Sequence, residues 1–320
     1  MLETVESVDE VRSAVARARR QGLVVGLAPT MGALHEGHVR LVERCRAECG
    51  FVVVSIFINP LQFGPNEDLG RYPRTLTDDL AKCQAAGADL VFTPEVATIY
   101  PRRRDETTFV EVPGISALLE GASRPGHFQG VATVVLKLFA IAQADVAYFG
   151  AKDYQQLAVI RRMVADLNLP VEVRAVETVR ERDGLAMSSR NRYLDPDQRR
   201  AAVVLFRALQ RAKDAVEAGE RDANRVRQML AETIESERSA ELDYAEVADL
   251  ESLEPLSVLS PGGRAVGLLA VRFGATRLID NAVFTGGGTR DAPEGLEKQA
   301  ASGHGDARRP ELPRFPDDRP

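Results

Sequence analysis

The sequence predicts an α/β fold built on a doubly wound parallel sheet, followed by a smaller α+β domain. Two observations predict this arrangement. Up to about residue 182, short apolar runs of strand length alternate with segments of helical period, which is typical of a parallel sheet covered by helices. Beyond Gly184 the chain instead carries two long charged amphipathic segments and then short strands.

The first domain, predicted over residues 1–182, contains repeated strand–helix units. Its predicted strands are residues 23–29, 51–58, 89–93, 145–149 and 171–176. Helical spacing of apolar residues follows the first strand from Val39 and recurs near residues 76–83, 131–142 and 153–167. A strand, helix and strand within about 40 residues form a right-handed βαβ unit. We therefore expect a Rossmann-like sheet with its ligands at the carboxyl ends of the strands.

The second domain is predicted over residues 183–285, and a tail follows at 286–320. Helices are expected near 196–218 and 222–237, and strands at 242–247 and 264–273. The tail is rich in Gly, Pro and charge and has few apolar residues, so burial cannot offset its ordering entropy and we expect it to be disordered. The alternative for the tail is a peptide-binding arm.

Composition restricts the class of protein. The net charge of −6 from 41 Lys and Arg against 47 Asp and Glu argues against a nucleic-acid partner. We expect no membrane helix, because no run approaches the ~18 apolar residues required. Cys45, Cys49 and Cys83 have no disulfide-framework spacing, which favours a cytoplasmic protein. We interpret Cys45 and Cys49, one helical turn apart, as packing residues instead of metal ligands.

The segment Pro29-Thr30-Met31-Gly32-Ala33-Leu34-His35-Glu36-Gly37-His38 links the first strand to its helix. His35 and His38 are three residues apart, so both imidazoles can project from one face of the first helical turn. The free N–H groups and the dipole of a helix start favour a bound phosphate. An imidazole N–H beside an α,β-phosphate bridge can stabilise the charge that develops as pyrophosphate leaves. The alternative is a chance pair in which one histidine caps the helix.

Other phosphate-binding motifs are absent from the sequence. No G-x-G-x-x-G and no Gly-Lys pair of a P-loop occurs, so the histidine pair is the candidate nucleotide site. H-x-G-H with a downstream Ser/Lys-type loop resembles the nucleotidylyl-transferase superfamily, and that resemblance implies adenylate chemistry.

Longer segments resemble one family, the pantothenate synthetases (pantoate–β-alanine ligases). The matching blocks occur in the family's order and are PTMGALHEGH, SIFINPLQFGPNEDLGRYPRT, LEGASRPGHFQGVATVVLKLF, FGAKDYQQL and DGLAMSSRNRYL. The resemblance covers Leu23 to about Asn281. It implies an AMP-forming ligase of pantothenate and coenzyme A biosynthesis that condenses (R)-pantoate with β-alanine through a pantoyl adenylate. ATP as a substrate, Mg²⁺ without assigned protein ligands, and a homodimer are further implications.

The resemblance also implies roles for individual residues. The catalytic set would be His35, His38, Lys152, Ser188, Ser189 and Arg190. The ATP-binding set would comprise these residues together with Met31, Gly32, Ala33, Leu34, Glu36, Gly37, Gly150, Ala151, Asp153, Val179 and Met187. Pantoate would be bound by Asn59, Gln62 and Gln156. Family members commonly carry Glu where this chain has Ala151, which puts only the side-chain contribution at that position in doubt.

The chemistry of these residue types is consistent with such roles. Neutral amides such as Gln62 and Gln156 suit a substrate with two hydroxyls and a carboxylate, and Lys152 suits phosphate oxygens. A Ser188–Arg190 loop can close over triphosphate. Asp153 is equally interpretable as a helix N-cap, and His127 as a structural residue.

Two other functions are left open by the sequence. One is a related nucleotidylyl-transferase that makes a stable nucleotide conjugate. The other is a non-catalytic nucleotide-binding module whose tail recruits a partner.

Overall fold

Six parallel strands form the larger sheet in a computed structural model, which describes residues 2–65 and 67–286. In chain order the strands are β1 (Glu3–Val5), β2 (Val25–Thr30), β3 (Phe51–Ile56), β4 (Leu90–Phe92), β5 (Val146–Gly150) and β6 (Glu172–Val176). The order across the sheet is β1-β4-β3-β2-β5-β6, and every pairing is parallel. The predicted doubly wound sheet is therefore confirmed; β1, a three-residue edge strand, was not predicted.

Helices cover both faces of this sheet. They are α1 (Val8–Arg20), α2 (Glu36–Glu48), α3 (Leu76–Ala85), α4 (Val96–Ile99), α5 (Glu120–Ser123), α6 (His127–Ala142) and α7 (Tyr154–Asp166). One hydrophobic core combines residues of α1, α6 and α7 with the sheet, and another combines those of α2 and α3. The cysteines all lie buried in the second core as free thiols, in agreement with packing roles.

The strand order reverses at β2. β3 and β4 lie on one side of this strand, and β5 and β6 lie on the other. β2 pairs with β5 only at Gly26 and Leu27. Alternate residues of a strand direct their N–H groups to the same neighbour, so the backbone nitrogen of Pro29 faces β5. Proline has no N–H to donate, and no N–H hydrogen bond can form from this position. The two strands are thus free to separate at their carboxyl ends, where ligands bind in folds of this type.

A second sheet follows in the chain. Its three antiparallel strands are β7 (Glu241–Ala248), β8 (Arg264–Phe273) and β9 (Thr276–Thr285). The helices α8 (Pro196–Ala201), α9 (Val204–Glu217) and α10 (Ala223–Glu235) precede it, and their apolar faces share a core with the sheet.

Two details of the second part differ from the prediction. The single helix expected over 196–218 is divided between α8 and α9, where the Leu205 N–H bonds to the carbonyl of Ala202, only three residues back. β9 was not predicted, and it forms a hairpin with β8 across Gly274, whose φ is +59°. The domain boundary between 182 and 183 stays a prediction; residues 2–65 and 67–286 belong to one compact unit.

The remaining predictions concern the tail and the membrane. Residues 287–320, nearly the whole predicted tail, lie outside the described residues. Within residues 2–65 and 67–286, no helix combines the length and apolar character needed to cross a membrane.

Candidate active site

A cavity lies at the carboxyl ends of β2 and β5, where the two strands separate. It is bounded by the loops that follow these strands, by residues 57–63 and Tyr72, by one face of α6 and by residues 177–190. The predicted site residues that line it are Met31, His35, Gly37, His38, Asn59, Gln62, Gly150, Lys152, Asp153, Gln156, Val179, Met187, Ser188, Ser189 and Arg190. The other predicted residues, which do not line it, are Gly32, Ala33, Leu34, Glu36 and Ala151.

His35 and His38 stand side by side at the start of α2. Their ring centroids are 4.1 Å apart. His35 is the N-cap residue, and its Nδ1 accepts the Gly37 N–H at 3.1 Å. His38 Nδ1 accepts the His35 N–H at 3.4 Å. Because each Nδ1 is an acceptor, each Nε2 carries the ring proton and is the donor available to a ligand.

Both imidazoles are neutral at pH 7. Burial, reinforced by the repulsion that a protonated His38 and Lys152 would exert, lowers the pKa of His35 to about 3. Burial also lowers the pKa of His38 to about 4, although the charge of Asp153 opposes the shift. A Cβ at Gly37 would lie 2.9 Å from His35 Cε1, so a side chain there would displace the ring. His35 therefore caps the helix, as the alternative interpretation of the sequence proposed, and it also lines the cavity.

Asn59 and Gln62 follow β3 and are both buried. Asn59 Nδ2 donates to Gln62 Oε1 at 3.1 Å and to the Gly130 carbonyl at 3.0 Å, while its Oδ1 accepts from the Tyr100 hydroxyl at 2.9 Å. Asn59 therefore orients the amide of Gln62 with its NH₂ group turned toward Met31, whose Sδ is 2.8 Å away. Gln62 presents donors to the cavity.

His127, left open between a structural and a functional role, supports Gln62. Its Nδ1 donates to the Gln62 carbonyl at 2.8 Å, and its Nε2 accepts from Arg124 at 3.1 Å. Burial and the charge of Arg124 lower the pKa of His127 to about 4. Arg124 is itself held by Glu67, at 2.7 Å. Both ring nitrogens of His127 are engaged with protein groups.

One wall of the cavity is apolar. It is formed by the α6 residues Val131, Val134, Val135 and Leu138 together with Phe57 and Phe149. The sequence predicts α6 as a buried helix, and nothing in its apolar pattern separates residues facing the cavity from residues facing the core. The sequence therefore did not predict that these residues form a wall of the cavity.

Lys152 and Asp153 lie between β5 and α7. The Lys152 ammonium is 3.6 Å from the Asp153 carboxylate. Burial alone would raise the pKa of Asp153, but the charges of Lys152 and Arg190 outweigh it and the pKa lies below its usual range. Asp153 is the N-cap residue of α7, yet its side chain accepts no capping hydrogen bond. Its carboxylate is therefore available to a ligand in the cavity.

Asn281 of β9 fixes the backbone of this segment. Its Nδ2 donates to the carbonyl of Ala151 at 3.0 Å and to that of Lys152 at 2.7 Å. Asn281 is 130 residues from Ala151 in sequence, and no local pattern relates the two. This positioning residue was missed.

Ser188, Ser189 and Arg190 begin a 3₁₀ turn that borders the cavity. Ser188 Oγ accepts the Arg190 N–H at 3.3 Å, and Ser189 Oγ lies 3.4 Å from the Tyr72 hydroxyl. The Arg190 guanidinium makes two bonds to the Asp68 carboxylate, at 3.2 and 3.0 Å. A carboxylate therefore fixes the orientation of Arg190 at the edge of the cavity.

Comparison with known proteins identifies what the chain resembles. The family described as Pantoate-beta-alanine ligase matches residues 3–283. Pantothenate synthetase of Herpetosiphon aurantiacus is 53% identical over 283 residues, which are 88% of this chain and 100% of that protein. The crystal structure of pantothenate synthetase from Thermus thermophilus superposes with a TM-score of 0.82 at 50% identity, covering 88% of this chain and 98% of the other.

A third relative was crystallised with ligands. Pantoate-beta-alanine ligase from Francisella tularensis, complexed with beta-gamma ATP and beta-alanine, has a TM-score of 0.72 and 31% identity, covering 88% of this chain and 98% of that one.

Proposed function

The chain belongs to the pantoate–β-alanine ligase family and is an enzyme of that class, and we propose that it works in two steps through a pantoyl adenylate. One observation carries the proposal. A single cavity combines two neutral imidazole donors, Lys152 and the Ser188–Arg190 turn with the buried amide of Gln62 and an apolar wall. Such a cavity offers donors for a triphosphate beside a compartment for a small hydroxy acid.

In the first step an oxygen of the pantoate carboxylate attacks the α-phosphorus of ATP. The bond from the α-phosphorus to the α,β-bridging oxygen breaks, and pyrophosphate leaves with that oxygen and the electron pair. The Nε2–H donors of His35 and His38 would stabilise the charge that builds up on the phosphates. Because both rings are neutral, they donate hydrogen bonds without requiring protonation of the free enzyme.

Positive charge at the triphosphate would come from two segments. The Lys152 ammonium lies on the loop after β5, and Arg190 lies on the 3₁₀ turn. Phosphate oxygens suit both the compact ammonium and the forked guanidinium. Arg190 would leave Asp68 in order to reach them.

Pantoate would occupy the compartment beside Gln62 and Gln156. The NH₂ group of Gln62 can donate to a hydroxyl or the carboxylate, and a neutral amide does not repel the carboxylate. Residues of α6, such as Val134, would cover the apolar part of the acid. Placing the carboxylate against the α-phosphorus supplies the proximity on which the rate depends.

In the second step the β-alanine amine attacks the acyl carbon of the adenylate. The bond from that carbon to the bridging oxygen breaks, AMP leaves with the oxygen, and the amine nitrogen loses a proton to solvent. Neither step needs an enzyme nucleophile. Burial raises the pKa of Cys83 to about 12, so that thiol is protonated at neutral pH.

Mg²⁺ would enter with ATP as part of the substrate. Among the described residues no group of three or more His, Cys, Asp or Glu is arranged to hold a metal ion. A Mg²⁺ ion that arrives with ATP keeps several waters and is held largely by phosphate oxygens. No protein ligand is assigned to the ion; Asp153 and Glu177 are the carboxylate residues that line the cavity.

The family resemblance also supports two proposals on assembly and location. We propose a homodimer, which light scattering would test, and a cytoplasmic location, consistent with three free buried cysteines.

The proposed role of His38 is tested by His38→Ala, with Arg40→Gln as the matched control. Arg40 is exposed on the next turn of α2 and does not line the cavity. Loss of a charge-stabilising donor should lower kcat for pantoate-dependent AMP formation by about 10²–10³-fold, with an unchanged circular dichroism spectrum and a normal control. Turnover of His38→Ala near that of the wild type would exclude the proposed role.

A further inference from the structure

We propose that Asp79 is a positioning residue for adenylation, which holds the segment before α2 and thereby sets the positions of His35 and His38. The inference rests on the proposed function of the two histidines. Asp79 lies on α3, is 1% exposed and does not line the cavity. It therefore acts on the substrate only through other residues.

The Asp79 carboxylate is bonded through both oxygens. Oδ2 accepts the Ala33 N–H at 2.9 Å, and Oδ1 accepts the Leu34 N–H at 2.8 Å. The Thr75 hydroxyl lies 3.2 Å from each oxygen. Hydrogen bonds to an ionised acceptor are about twice as strong as those between neutral groups. Asp79 therefore binds two consecutive peptide N–H groups firmly to α3.

The backbone segment that is hydrogen-bonded to Asp79 has an unfavourable conformation at Ala33. Gly32 has a φ of +82° and Ala33 a φ of +50°. For Ala33 the left-handed region costs roughly 1–2 kcal/mol, and such a conformation persists only where the surroundings enforce it. The two bonds from Ala33 and Leu34 to Asp79 provide that enforcement.

A second residue of α3 holds the next backbone group. The Lys82 ammonium donates to the Leu34 carbonyl at 2.7 Å. Leu34 directly precedes His35, whose carbonyl accepts the first N–H bonds of α2, from His38 and Val39. The direction in which α2 starts, and with it the position of both imidazoles, thus follows from contacts made by α3.

A change in these contacts would act on the chemical step. A displacement of about 1 Å in a reacting group can cost roughly 10²-fold in rate. The Oε1 atom and the backbone carbonyl of Gln62 are held by Asn59 and His127, and only its NH₂ group contacts the segment before α2, at Met31, so pantoate binding would be largely preserved. A purely structural Asp79 would instead affect the folded fraction and leave the kcat of the folded enzyme unchanged.

The test is Asp79→Asn, with the exposed neighbour Asp78→Asn as control. Asparagine keeps the size of the side chain but replaces one acceptor with an NH₂ group. We expect kcat for pyrophosphate formation, per folded enzyme, to fall by about 10–100-fold, while KM for pantoate stays within about 3-fold. The control should match the wild type. A kcat within about 3-fold of the wild type, or a KM for pantoate that rises as kcat falls, would overturn the inference.

Lys82→Met takes the place of Asp79→Asn if that variant does not fold, because Lys82 lies on the exposed side of α3. It should lower kcat several-fold with KM for pantoate unchanged, and a wild-type kcat would overturn the inference. His38→Ala separates this inference from the proposed function. An inactive His38→Ala with an active Asp79→Asn refutes the inference alone, and an active His38→Ala refutes both.

Discussion

Replacing Asp68 with asparagine should tighten the binding of ATP. The Arg190 guanidinium bonds to Asp68 at 3.0 and 3.2 Å. Burial alone would lower the pKa of Arg190, but Asp68 outweighs burial and the pKa is raised. If Arg190 transfers to the triphosphate, ATP competes with Asp68 for it. Removing the carboxylate charge removes the competitor.

The magnitude follows from how far the pair is exposed. The side chains of Arg190 and Asp68 are 30% and 10% exposed. An exposed pair contributes about 0–1 kcal/mol, and a hydrogen bond to a charged group about 1.5–3 kcal/mol. An intermediate value of about 1–2 kcal/mol corresponds to a roughly 5–30-fold lower Kd for ATP.

The assay is titration calorimetry with a non-hydrolysable β,γ-substituted ATP analogue. Asp105→Asn is the matched control, because Asp105 forms a solvent-exposed ion pair with Arg103 at the surface. The control should bind like the wild type. An unchanged or weaker affinity for Asp68→Asn would refute the competition and would mean that Asp68 orients Arg190 toward the nucleotide.

Three further predictions concern polar groups that are buried or half-buried. Glu120→Gln should cost about 3 kcal/mol of unfolding free energy in urea, because buried Glu120 accepts two bonds from Arg277, at 2.8 and 2.6 Å; a loss below about 1 kcal/mol would contradict this. Since the pKa values of His35 and His38 are lowered to about 3 and about 4, the unfolded chain binds more protons between about pH 4 and 6.5. Stability should therefore fall as pH falls through that window, and less steeply in His38→Gln; equal slopes in thermal melts would be inconsistent with the shift. Gln62→Ala should raise KM for pantoate about 10–100-fold and leave KM for ATP within about 3-fold, and equal effects on both would remove Gln62 from the pantoate site.

The sequence predicts those parts of the fold in which burial is continuous along the chain. β2 and β3 are buried at nearly every residue, so their apolar runs are visible without knowledge of their neighbours. β9 was missed because polar residues, Asp280 and Asn281, are buried within it. They bind Arg180 and the Lys152 segment, contacts that no local pattern encodes.

The same distinction between patterns visible along the chain and contacts between distant residues applies to the candidate site. His35 and His38 are close in sequence and were grouped by spacing alone. Asp79 is 46 residues from Ala33 and meets it only through the packing of α3 against the loop. One signal in the sequence could have indicated this contact. Asp79 lies four positions before Cys83, on the apolar face of α3, and a charged group buried there requires hydrogen-bonding partners.

The central claim, that a pantoate oxygen attacks the α-phosphorus, is tested most directly by isotope transfer. Pantoate labelled with ¹⁸O in both carboxylate oxygens would be incubated with ATP, β-alanine and the enzyme, and the products analysed by mass spectrometry. The proposed mechanism predicts one ¹⁸O in AMP, one in the new amide carbonyl and none in pyrophosphate. Unlabelled AMP, or label in pyrophosphate or inorganic phosphate, would contradict it.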